Sequence, residues 1–138
     1  MAGERALSLG YPFAHCVARS ITFTDDGSTL DIGDIPPCTI QEIKIAKTVD
    51  FDAGTNNQLD IGIKYSDGTT ADPDAFVSNA DLSSSTALGP LTATLVNSAA
   101  FKVGVDATIT CTVDLTGTAA TAGAAEVFVY FVPTETVR

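Results

Sequence analysis

Apolar residues in this chain recur at every second position in short runs, the period of a pleated strand with one buried face. Val17, Arg19, Ile21 and Phe23 alternate with Ala18, Ser20, Thr22 and Thr24, and Asp25-Asp26-Gly27 then supplies a turn. Ser28 to Ile32 reads as a short strand, broken by Gly33-Asp34-Ile35-Pro36-Pro37 because proline cannot donate to a ladder. In Ile40 to Phe51 an apolar set (Ile43, Ile45, Val49, Phe51) opposes Glu42, Lys44 and Thr48, with a register slip near Ala46-Lys47 that predicts a bulge or a bend.

Asp52 to Asn57 has the composition of a hairpin connection. Leu59, Ile61, Ile63 and Tyr65 then oppose Gln58, Asp60 and Lys64, and Ser66-Asp67-Gly68-Thr69 turns the chain again. Asp72-Pro73 has the form of a helix start, so a short helical turn is expected over Asp74 to Asn79, with Ala75, Phe76 and Ala80 towards the core. Leu91 to Leu95, Phe101 to Val103, Ile109 to Leu115 and Glu126 to Val132 complete the pattern. The last run is apolar on both faces, as befits a strand central in its sheet or covered by a neighbouring subunit. About eight short strands at regular spacing predict an all-β fold, an antiparallel β-sandwich of jelly-roll-like connectivity with one short helical insertion. Residues 1–12 read as an extended N-terminal arm, and residues 13–138 as one sandwich domain.

The composition suits such a fold. Of 138 residues, 45% are hydrophobic and 17% charged, which excludes a disordered chain. Formal net charge is -10, and the seven basic residues (Arg5, Arg19, Lys44, Lys47, Lys64, Lys102, Arg138) are scattered. Nucleic acid and anionic membrane both need clustered Lys and Arg, so neither is an expected partner. No apolar run approaches the ~20 residues of a membrane span, and Met1 to Gly10 lacks the parts of a signal peptide. Synthesis and retention in a cytosol are therefore expected. Cys16, Cys38 and Cys111 are far apart and odd in number, which predicts free, packed thiols and no zinc pair.

Catalytic patterns do not emerge, so no catalytic, cofactor-binding or metal site is expected. The single histidine, His15, adjoins Cys16, but neighbours on a strand point to opposite faces. The carboxylates Asp25, Asp26, Asp50, Asp52, Asp60, Asp67, Asp72 and Asp74 sit among turn residues, where aspartate is a hydrogen-bond acceptor for the backbone. Calcium at Asp72 and Asp74 is the best metal alternative, without a twelve-residue loop pattern to support it. Gly117 to Gly123 precedes a strand and so does not have the context of a phosphate loop.

Phe51-Asp52-Ala53-Gly54-Thr55-Asn56-Asn57-Gln58-Leu59-Asp60-Ile61-Gly62, followed by Asp72-Pro73-Asp74-Ala75-Phe76-Val77 and Ala80-Asp81-Leu82, resembles small virion proteins of tailed bacteriophages. Gly33-Asp34-Ile35-Pro36 ahead of Ile40 to Ile45, and Ala120-Thr121-Ala122-Gly123-Ala124-Ala125 ahead of the last strand, extend the resemblance over about Ile32 to Pro133. The resemblance implies a capsid decoration or cement protein, or another minor head component. Such a protein is made in the host cytoplasm, binds the major capsid protein on the capsid exterior, often as a homotrimer, and is not an enzyme. Two other readings remain. A virion-displayed carbohydrate- or host-surface-binding module would need exposed aromatics, for which Tyr11, Phe13 and Tyr65 are the candidates. A hydrolase would need two aspartates converging in a cleft.

Overall fold

A computed structural model describes residues 15–96 and 101–134. The alternating runs become nine strands: β1 (His15–Thr22), β2 (Thr29–Ile35), β3 (Cys38–Val49), β4 (Asn56–Tyr65), β5 (Asp72–Asp81), β6 (Gly89–Thr92), β7 (Phe101–Val103), β8 (Ala107–Thr116) and β9 (Ala124–Pro133). A 3-10 turn, Phe23–Asp25, joins β1 to β2. Sheet I has the order β1-β9-β3-β6, with β7 on the remaining length of β3, and sheet II has the order β2-β8-β4-β5. All strand pairings are antiparallel. Most successive strands cross between the facing sheets in the jelly-roll manner, while β4–β5 and β6–β7 each stay within one sheet. Strand β5 stands where a short helical turn was expected, which accounts for nine strands where about eight were expected.

The core lies between the sheets. Ile21, Ile40, Ile43, Val127 and Val129 point inward from sheet I, and Leu59, Ile61, Ile63, Ile109 and Val113 from sheet II; all are buried. At one edge Phe76 of β5 and Phe101 of β7 meet edge to face across the two sheets, ring centroids 4.7 Å apart. Aromatic pairs favour that geometry because the positive ring edge meets the negative face.

Three expectations are corrected. The helical insertion does not form: Asp72–Asp81 is strand β5, paired with β4. Among the described residues β5 is the edge strand of its sheet, a position that tolerates Pro73. Four residues, Pro73 to Phe76, stand opposite Gly62 alone between the pairs Ile63–Asp72 and Ile61–Val77. A Cβ on Gly62 would run into the backbone of Asp72 and Pro73, so the bulged chain closes over a glycine that leaves it room. Burial of Ala75, Phe76 and Val77 outweighs the local helix-start signal.

Asp52 to Asn57 is not a hairpin either, since β3 lies in sheet I and β4 in sheet II. Finally, Cys16 is exposed, while Cys38 and Cys111 are buried free thiols. The bulge expected near Ala46-Lys47 falls at Thr48, between the pairs Lys47–Ala125 and Val49–Ala124. The arm expected over residues 1–12 lies outside the described residues.

Candidate interface

The segments that carry the sequence motif are brought together at one end of the sandwich. The ring of Phe51 fills the space where a Cβ on Gly123 would stand, and Gly123 has φ +149. Asp52 Oδ1 accepts the N–H groups of Thr121 and Ala122 at 2.7 and 3.0 Å, and Oδ2 accepts the Thr121 hydroxyl. These bonds hold the Asp52 carboxyl below its ordinary range. Gly54 N–H donates to the Thr118 carbonyl and Thr55 N–H to that of Thr116, both at 2.9 Å. The buried Asn57 side chain accepts from Ala53 N–H and donates to the Ala53 carbonyl. The motif therefore locks the β3–β4 crossover to the β8–β9 turn. It is a corner of the fold rather than a ligand cradle.

Other candidates from the sequence are likewise occupied by structural duties. His15 stacks on Phe131 with centroids 5.6 Å apart, while Cys16 pairs in register with Tyr130 on the opposite face. Asp25, Asp26, Asp60 and Asp67 each accept a backbone N–H, from Thr22, Leu115, Asn79 and Thr69 respectively. Asp74 accepts the Ser78 hydroxyl. No group of three or more His, Cys, Asp or Glu side chains placed to hold a metal occurs among the described residues.

Lys47, which the sequence places only among the scattered basic residues and at the register slip, is 3% exposed on the inward side of β3. Its ammonium donates to the carbonyls of Ser83 and Thr86 and to the Thr86 hydroxyl, pinning the β5–β6 loop. Asp50 Oδ1 lies 2.8 Å from the same nitrogen. That oxygen accepts no aligned hydrogen bond, while the loop offers three acceptors for the three donors of the ammonium, so the contact with Asp50 is one of charge. The inward position follows from alternation with Ile43 and Ile45.

What remains is a contrast between the two outward faces. On sheet II the outward positions hold Thr29, Asp31 and Asp34 on β2, Thr108, Thr112 and Asp114 on β8, and Asp60 and Lys64 on β4. Side chains there bond one another, as in Thr29–Thr112 at 3.0 Å and Thr108–Asp34 at 2.8 Å. This face is polar and acidic. Sheet I presents Cys16, Ala18 and Ser20 on β1, Glu126, Phe128 and Tyr130 on β9, and Glu42, Lys44 and Ala46 on β3. Phe128 and Tyr130 stack at its centre, centroids 6.5 Å apart and planes 19° from parallel. The final strand is indeed central in its sheet, yet its outward side still carries two half-buried aromatics. An apolar centre ringed by polar groups is the anatomy of a protein-binding surface.

No family model matches the sequence, and no curated protein matches it. Among solved structures the chain is similar to one in the capsid asymmetric unit of cyanophage Pam1, with TM-score 0.64 and 12% identity over 96% of this chain and 91% of that chain. It is also similar to a chain of the acidic stable capsid of Helicobacter pylori bacteriophage KHP30, with TM-score 0.57 and 8% identity over 90% of each. The likeness is one of fold. No helix among the described residues is long and apolar enough to cross a membrane.

Proposed function

We propose that this chain is a non-enzymatic structural protein of a phage virion, a decoration or cement protein on the outside of the head shell. In this reading residues 13–138 are one sandwich domain and residues 1–12 an arm. The protein assembles as a homotrimer and contacts the major capsid protein, without nucleic acid or membrane. The observation that carries the reading is the opposition of the two faces on a fold shared with capsid chains. An acidic, threonine-rich face suits exposure to solvent, and the face centred on Phe128 and Tyr130 suits a protein surface. Buried aromatic anchors carry a large part of interface energy, with truncations costing on the order of 2 kcal/mol or more each.

The test is co-sedimentation of the purified protein with mature, decoration-free heads of the parent phage and with immature shells. Saturable binding at a symmetry-related copy number, stronger on expanded shells, is expected. Phe128→Ser/Tyr130→Ser is expected to abolish it while leaving the circular dichroism spectrum unchanged. Absence of binding to either shell would discard the reading in favour of a receptor- or sugar-facing module.

A further inference from the structure

Among the described residues, three of the four large apolar side chains that stand out into solvent, Leu88, Leu91 and Val96 at 57%, 42% and 60% exposure, belong to one edge of the sandwich. Sheet I ends there in the four-residue β6 and sheet II in β5. Between them opens a groove of about 300 Å3, floored by Ile45, Val77, Ala80, Leu82 and Leu91. Val96 N–H reaches across to the Phe76 carbonyl at 2.8 Å. Otherwise, among the described residues, β5 pairs only with β4 and β6 only with β3, so each leaves a flank that no described strand pairs with. Such flanks are templates for an added strand.

The sequence ahead of β1 has the pattern of that strand. Leu7, Leu9, Tyr11 and Phe13 alternate with Ser8, Gly10, Pro12 and Ala14, in phase with half-buried Val17 and buried Ile21 of β1. We infer that residues 7–13 of one copy add as a strand to the β5–β6 edge of a second copy, with Leu7 and Leu9 filling the groove. Removing one buried leucine opens about 150 Å3, so this groove has room for about two such side chains. Pro12 is compatible with a strand paired on one side only.

Reach excludes the chain's own groove. β1 and β6 are opposite edges of sheet I, so a strand outside β6 is four spacings from β1, roughly 19 Å. His15 is level with Phe131 and Ile40. The groove row at Ile45 and Lys47 is roughly 16–23 Å further along β3. The straight line through the core is then roughly 25–30 Å, and any route around the surface is longer. Six extended residues from His15 back to Leu9 span at most ~21 Å. The occupant of the groove is therefore another molecule's arm. Exchange from the β1 end of one copy to the β5–β6 edge of the next is a head-to-tail contact, which closes into a ring when the rotation permits.

This inference supplies the contact behind the homotrimer of the proposed function, and its test contains no shells, so either can fail without the other. Light scattering on the size-exclusion peak of the full chain is expected to give a closed oligomer. Deleting residues 1–12, or Leu7→Asp/Leu9→Asp, is expected to reduce it to the mass of one chain with an unchanged thermal midpoint. Leu9→Cys/Ala80→Cys in a Cys16→Ser background is expected to give intermolecular disulfides that disappear when either introduced cysteine is left out. A monomeric wild type, an oligomer that survives the deletion, or cross-links confined within one chain would each overturn the inference.

Discussion

Asp52 accepts both the N–H and the hydroxyl of Thr121 at 2.7 Å, tying the crossover between the sheets to the turn before the last strand. The bonds favour the carboxylate, so its folded pKa lies below the ordinary 3.8. Stabilisation from this group is complete above that value and is lost as pH falls through the folded pKa. Asp67 and Asp81 are lowered in the same direction, chiefly by hydrogen bonds from Thr69 and Ser83. The thermal midpoint is expected to hold from neutrality to about pH 5 and to fall below about pH 4. Asp52→Asn is expected to start lower at neutral pH and show a shallower acid limb. An acid limb as steep as that of the wild type would remove Asp52 from this account.

Lys47→Met is expected to lower stability by about 1–3 kcal/mol, because the Ser83 and Thr86 carbonyls lose a buried donor. Asp50→Asn is expected to cost less than about 1 kcal/mol, since the aspartate side chain is 41% exposed and the loop bonds survive. Urea midpoints of the two variants measure the difference, and equal losses would contradict the assignment of the ammonium protons to the loop.

Gly62→Ala places a methyl group in the path of the Asp72–Pro73 backbone. Overpacking of this kind costs about 1–3 kcal/mol, and here it levers β5 off β4. Hydrogen exchange is expected to rise at Val77 and Ala80 ahead of the rest of sheet II. Uniform change across both sheets would argue against the bulge as the point of strain.

Native protein is expected to react with a maleimide at one thiol. Cys16 is exposed, whereas burial pushes Cys38 and Cys111 up to about 11 and keeps both from solvent. Cys16 is itself raised from the ordinary 9.0, mainly by desolvation, so its labelling rate is expected to go on increasing above pH 9. Denaturant is expected to release the other two together, and early labelling of Cys38 alone would show that β3 opens independently.

Much of the fold was legible because one-sided burial writes a period of two into β1, β4, β8 and the flanks of β3. The misreadings share a cause. Local chemistry at Asp72-Pro73 does favour a helix start, but burial of Ala75, Phe76 and Val77 outweighs it, and Gly62, ten residues away in sequence, leaves the room for the bulged strand. Asp52 to Asn57 reads as a hairpin because crossovers and hairpins use the same turn residues, and only the identity of the next partner strand separates them. The burial of Lys47 is not legible because the backbone groups that receive its ammonium lie 36 and 39 residues further along the chain. The interface left a partial signal, the two-sided apolar run from Glu126 to Val132. The acidity of the facing sheet was not localised, since no single strand of sheet II carries more than a few aspartates.

His15 at the start of β1 lies opposite Phe131 near the end of β9, so the two outermost ends of the described chain emerge side by side from antiparallel neighbours. Tension applied through those ends would open the β1–β9 ladder like a zipper, one hydrogen-bonded rung at a time, and the molecule would yield at low force. Tension applied across the face of sheet I instead loads β1, β9 and β3 together. A molecule of this build bears load through its broad side and gives way when pulled by its ends.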